Sequence, residues 1–115
     1  YGTFNFKSKN TFDNSLKYQA MENDEVDCVP AYTTDAQLSS NEFILLEDDK
    51  HFWPPYNIIP VVRQEVIDAH PDVAEIINKI SAAIDTETMT KLNAQVDIDK
   101  EEYEDVAADF YATIK

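Results

Sequence analysis

Val26-Asp27-Cys28-Val29-Pro30-Ala31-Tyr32-Thr33-Thr34-Asp35 and Phe43-Ile44-Leu45-Leu46-Glu47-Asp48-Asp49-Lys50-His51-Phe52-Trp53-Pro54-Pro55-Tyr56 are the two stretches that decide the fold. Each opens on a short apolar run, residues 26–29 and 43–46, that reads as a buried strand. Each closes on a tyrosine, and Tyr32 and Tyr56 are 24 positions apart. In an α/β fold, residues at strand ends converge on the ligand crevice. Two converging phenol rings make two walls of a box for a cation that cannot donate hydrogen bonds. A quaternary ammonium group is such a cation, and the ring quadrupole attracts it. The alternative is that both tyrosines are ordinary core or rim aromatics, since loop tyrosines are commonly half-buried.

Outward from these stretches the chain alternates between strand-like and helix-like patterns. Phe4 and Phe6 alternate as in a short strand, and Asp13 or Ser15 can cap a helix over residues 15–23. Residues 33–42 are polar and read as a turn with a short helix around 36–38. Residues 58–62 form a third apolar run. Pro60 interrupts it, which makes that strand an edge or bends it. The second half is helical. Residues 64–69 make about one and a half turns. Pro71 suits a first helical position, and Val73, Ile76, Ile77, Ile80 and Ile84 make one stripe at helical spacing. Asp85 or Thr86 can cap a third helix with Met89, Leu92 and Val96 inward. Asp99 with Glu102 is a capping-box pattern ahead of a stripe at Tyr103, Val106, Ala107, Phe110, Tyr111 and Ile114. Tyr103 and Tyr111 lie in that stripe and read as core. The fold class is therefore α/β: short strands followed by a carboxy-terminal helical cluster, with too few strands for a complete doubly wound sheet.

Composition narrows the function. The chain has 115 residues, within single-domain range. Its net charge is −14, from 23 acidic and 9 basic residues, which disfavours a nucleic-acid partner because phosphate binding needs clustered Lys and Arg. No 18-residue apolar run is present to span a membrane. The chain opens on Tyr1 with no basic-then-apolar leader, as expected of a fragment or a processed product. The acidic run from Asp97 to Asp109 reads as a solvated helix face. The lone Cys28 has no cysteine to pair with inside the chain and reads as a small buried hydrophobe.

Catalysis has little to stand on. His51 follows an acidic loop and His70 precedes a proline, and neither has a serine or cysteine partner in a recognisable motif. No His, Cys or carboxylate set recurs at metal-ligand spacing. Phosphate would need a glycine-rich loop, and the only glycine is Gly2. We therefore expect no catalytic residue, no metal and no cofactor. Binding remains. Two prolines ahead of Tyr56 stiffen the backbone and hold the ring at low entropic cost.

Three segments carry a resemblance: Val-Asp-Cys-Val-Pro-Ala-Tyr-Thr-Thr-Asp at 26–35, Leu-Glu-Asp-Asp-Lys-His-Phe-Trp-Pro-Pro-Tyr at 46–56, and residues 60–71 followed by a helix with Asn78-Lys79. Together they resemble the carboxy-terminal part of the substrate-binding proteins of osmoprotectant ABC importers, the glycine betaine, carnitine and choline binders of the OpuC and ProX type. The resemblance runs over essentially the whole chain, as far as Leu92-Asn93-Ala94-Gln95-Val96. It implies part of a type II periplasmic-binding-protein clamshell lobe. Residues 1–28 would be the end of the second lobe and the return crossing, and residues 29–115 the carboxy-terminal share of the first lobe. It also implies a tyrosine cage around a trimethylammonium head, with Tyr32 and Tyr56 as two members and Thr33 and Asn57 beside them. The implied partners are a small quaternary ammonium ligand, an ABC permease membrane subunit and the remaining portion of the parent binding protein. The implied location is the extracellular face of a bacterial membrane, as a lipoprotein or a permease fusion, or the periplasm. Two positions depart from the pattern. Pro30 stands where an acidic residue is common, and Ile58-Ile59 stand where a Gly-Ala pair commonly precedes the proline. Both bear on the pocket wall. A structural or interaction domain with aromatics in its core is the competing reading, and it requires Trp53 to be buried away from any cleft.

Overall fold

A computed structural model describes residues 2–115 and divides the chain into two compact units, Tyr1–Ala31 and Tyr32–Lys115. The first unit holds a short 3-10 turn, Asn14–Leu16, running into helix α1, Lys17–Glu22. Lys17, Tyr18 and Ala20 are its buried residues, and the Lys17 ammonium lies 5.1 Å from the Tyr18 ring centroid. α1 ends because Asp24 turns into the left-handed region, φ 59°. The Glu25 N–H then donates to the Ala20 carbonyl at 2.8 Å and the Asp24 N–H to that of Met21 at 3.0 Å. This is the double-bonded helix stop usually built on glycine, with aspartate serving here. Phe4 and Phe6 do not form the expected strand. As residues two apart they share a side, and their rings stack at 5.9 Å.

The second unit contains a 3-10 turn, Ala36–Ser39, and helices α2 (Gln64–Ala69), α3 (Asp72–Ala82), α4 (Thr86–Asp97) and α5 (Tyr103–Thr113). α4 starts where Asp85 caps it, its carboxylate accepting the Thr88 N–H at 2.8 Å. That hydrogen bond to the charged form holds the Asp85 carboxyl below its ordinary range. α3 starts at Asp72, with Pro71 one position earlier than expected, as the flanking residue. The expected Asp99–Glu102 capping box does not form. Glu102 itself flanks α5, and no side chain caps that helix. α4 packs against the 36–39 turn and against α5, and α2 packs against α3.

Three expectations change. The runs at 26–29, 43–46 and 58–62 are irregular backbone, and no strand occurs among the described residues. A strand exists only through a ladder to a neighbour, and these runs have none among the described residues. Cys28 is exposed rather than buried. Tyr103 and Tyr111 are exposed as well, and Val106 is the buried residue of α5. The cause is common to all three. The apolar side chains that are buried among the described residues are Tyr18, Ala20, Ala36 and Val106. The chain exposes 10072 Å², against about 6,400 Å² for a self-contained folded protein of 13.2 kDa. Ile44, Leu46, Ile58 and Val61 are each left in water, forgoing about 1.5–3 kcal/mol apiece relative to burial.

Candidate functional site

Tyr32 sits at the head of a tight turn. Its N–H donates to the Asp35 carboxylate at 3.1 Å, and its carbonyl accepts the Asp35 N–H at 3.0 Å. The side chain of Asp35 thus closes the turn from one side and its backbone from the other, the usual service of aspartate in turns. The next two carbonyls are taken up by α4. Thr34 accepts from Asn93 Nδ2 at 2.7 Å, and Thr33 lies 3.3 Å from the Thr90 hydroxyl. Ala36, directly after the turn, is 2 % exposed, and Thr90 is 8 % exposed.

Tyr56 is reached through a second organised loop. The Asp48 carboxylate accepts the Phe52 N–H at 3.0 Å and the Trp53 N–H at 2.8 Å, while the Asp48 carbonyl accepts the His51 N–H at 3.0 Å. His51 takes a left-handed conformation, φ 51°, which a non-glycine residue adopts at some cost. The two amide bonds to a charged acceptor offset that cost. Phe52 and Trp53 meet edge to face at 5.1 Å. The two prolines then deliver Tyr56.

The two tyrosines come together. Their ring centroids are 6.4 Å apart with planes inclined by 29°. Tyr56 is 88 % exposed and Tyr32 57 %. A trimethylammonium group held between two ring faces needs its nitrogen about 5 Å from each centroid, so about 10 Å between centroids. At 6.4 Å the pair is closed on itself. A cation about 5 Å from both centroids stands about 4 Å off the line joining them, at the open edge of the pair. Alternatively, rotation about the exposed Tyr56 side chain parts the rings. Thr33 and Asn57, the other two expected site residues, are both exposed beside the tyrosines in sequence. A separate hollow of about 240 Å³ is lined by Ile76, Lys79, Ile80, Tyr111, Ile114 and Lys115 and includes none of these four residues.

Sequence reasoning passed over Asp35, Asp48, Thr90 and Asn93 as parts of the site. Asp35 and Asp48 were open to detection, being aspartates three positions after Tyr32 and four or five before the Phe52 and Trp53 amides. Nothing local marks Asn93, whose partner is 59 positions away.

Two aromatic faces are thus carried on hydrogen-bonded loops, with α4 behind one of them. Residues 1–113 match the family described as OpuAC, the substrate binding domain of ABC-type glycine betaine transport systems, and the chain belongs to that family. It is 43% identical over 98 residues to a glycine-betaine-binding protein of Pseudomonas aeruginosa, covering 85% of this chain and 32% of that protein. It is 37% identical over 95 residues to the carnitine transport binding protein OpuCC of Listeria monocytogenes, 83% of this chain and 31% of that protein. It is 36% identical over 107 residues to the ergothioneine transport permease/ergothioneine binding protein EgtU of Helicobacter pylori, 93% of this chain and 19% of that protein. The chain thus spans a third or less of the length of these relatives.

Proposed function

We propose that this chain is the carboxy-terminal portion of the substrate-binding component of an ABC importer, and that it contributes two walls, Tyr32 and Tyr56, to a cage for a quaternary ammonium solute. The observation that carries this reading is the meeting at 6.4 Å of two rings that lie 24 positions apart in the chain. Glycine betaine, carnitine and ergothioneine, the ligands named for the relatives, share a trimethylammonium group and a carboxylate, and choline shares the first. The aromatic pair suits the trimethylammonium group. The carboxylate requires basic or amide donors from the rest of the parent protein. Thr33 and Asn57 stand beside the rings as polar rim. Such a protein captures and delivers a solute to a permease at the outer face of a bacterial membrane and performs no chemistry on it.

The lobe assignment follows the same reading: residues 1–28 as the end of one lobe and 29–115 as the share of the other. The division of the chain after Ala31 supports it. So do the exposed apolar runs 43–46 and 58–62, which are suited to strand partners supplied by the remaining polypeptide. The competing reading, aromatics in a structural core, is disfavoured by Trp53 at 71 % exposed and Tyr56 at 88 %.

The test is calorimetry on the full-length polypeptide with glycine betaine and its isostere 3,3-dimethylbutanoate, which keeps the shape and the carboxylate but has a neutral carbon in place of the cationic nitrogen. We expect glycine betaine to bind at least about tenfold more tightly, the effect of two cation–aromatic contacts near 1 kcal/mol each. Equal affinity for the two compounds would sink the cage.

A further inference from the structure

Tyr32 stands in a stretch without regular structure, yet its turn is held more firmly than such a stretch requires. The carbonyls of Tyr32, Thr33 and Thr34 are three consecutive acceptors, and each has a donor: the Asp35 N–H, the Thr90 hydroxyl and the Asn93 amide. These contacts are unequal. Thr90 has one hydroxyl proton and two carbonyls in reach, that of Thr86 at 2.8 Å and that of Thr33 at 3.3 Å. The shorter, within its own helix, takes most of the proton. Asn93 donates to Thr34 at 2.7 Å, and a carbonyl partner fixes which end of the amide points there. Asn93 is therefore the principal tie between α4 and the turn, and Thr90 fills the space under it. With the backbone pinned on both sides, the Tyr32 ring retains two side-chain torsions.

We propose that Asn93 on α4, with Thr90 in support, is a positioning residue for the ligand site: it sets where the Tyr32 ring stands and so tunes the preference for a cationic guest. This rests on the reading of Tyr32 as a cage wall. A wall left to a loose turn would have to be ordered at each binding event. A wall tied to a helix is ordered beforehand, and preorganisation of this kind raises affinity without a new ligand contact. Asn93 touches no ligand in this scheme. Its effect passes through the Thr34 carbonyl to a ring two residues earlier.

The experiment compares four variants in the full-length polypeptide: Asn93→Ala, the isosteric Asn93→Asp, Tyr56→Ala, and Val106→Ala as a control that destabilises α5 without touching the turn. Melting temperature is measured on each, with affinities for glycine betaine and 3,3-dimethylbutanoate well below the melt. Both Asn93 variants are expected to weaken glycine betaine binding about fivefold, the scale of one lost hydrogen bond. They should weaken the isostere less, so the ratio of the two affinities falls. Val106→Ala should lower the melting temperature and leave the ratio unchanged. If Asn93→Ala does not fold, Asn93→Asp carries the test, since it preserves shape and replaces the donor with a carboxylate oxygen that cannot hold the Thr34 carbonyl. An unchanged ratio in the Asn93 variants, with Tyr56→Ala impaired, overturns the positioning role alone. Normal binding by Tyr56→Ala overturns the cage reading, and the positioning role falls with it.

Discussion

At the scale of single residues, the chain places aromatic rings by fixing the backbone beside them. Asp35 and Asp48 do this with carboxylates that accept main-chain N–H groups. For Asp48 the consequence is measurable. In the full-length polypeptide, Asp48→Ala releases the Phe52 and Trp53 amides and leaves the left-handed His51 uncompensated. We expect weaker glycine betaine binding with little change in melting temperature, because the loop lies at the surface. Asp48→Asn keeps one of the two acceptor oxygens and turns a donor toward the other amide, so its affinity should fall between those of the parent and Asp48→Ala. A large drop in melting temperature with unchanged affinity would contradict this. Tyr56 and Tyr111 give a second contrast. Tyr56→Ala removes one of the two proposed cage walls and should cost about 1–2 kcal/mol of affinity. Tyr111, partly exposed, lines a hollow with Ile76, Ile80 and Ile114, and the Lys115 ammonium lies 5.2 Å from its ring centroid. Tyr111→Ala should therefore lower stability and leave the affinity of the folded fraction intact. Equal affinity losses for the two would refute the assignment.

At the scale of elements, α4 is the one on which the candidate site leans, since its Thr90 and Asn93 meet the Tyr32 turn and it also packs against α5. Its start depends on Asp85. The folded carboxyl titrates below its ordinary value of 3.8, so the cap's contribution is full above the unfolded pKa and is lost as pH falls through the lower folded one. Lys91 runs the other way. Its bond to Glu87 at 2.6 Å raises its pKa above 10.5, so that contribution is complete below the unfolded value and fades as pH rises through the folded one. We expect Asp85→Ala to lower the melting temperature at neutral pH, and Asp85→Asn to lower it much less, since asparagine caps nearly as well. Around pH 3 the difference between parent and Asp85→Ala should shrink. A difference that persists undiminished there would show that the carboxylate is not the cap. Much at this scale was legible in advance. α2 falls on residues 64–69 as expected, the cap at Asp85 was one of two alternatives, and the helical turn near Ala36 was anticipated. Periodicity and caps are local properties, set by residues within one or two turns. The Asp99–Glu102 pattern misled because a capping box also needs the chain to enter the helix at Asp99, and it enters at Glu102.

At the scale of the whole molecule, the chain leaves many large apolar side chains exposed, Ile44, Leu46, Ile58 and Val61 among them. We expect the isolated 115 residues to bind glycine betaine weakly or not at all, and to bind a hydrophobic dye such as ANS strongly. The full-length polypeptide should reverse both results. Micromolar betaine binding by the isolated chain in calorimetry would show that two walls suffice. The same exposure explains what could be read and what could not. The sequence by itself determined the family resemblance and the helices of the second half, and it singled out Tyr32 and Tyr56 as candidate walls, because these rest on local pattern and on residue chemistry. It did not determine that the 26–29, 43–46 and 58–62 runs would lack ladders here, that Cys28 and Tyr103 would be exposed, or that Asn93 would reach Thr34. Those depend on which surfaces meet. Burial and hydrogen bonds between residues nearly 60 positions apart exist only once the chain is folded back on itself, and no local pattern encodes them.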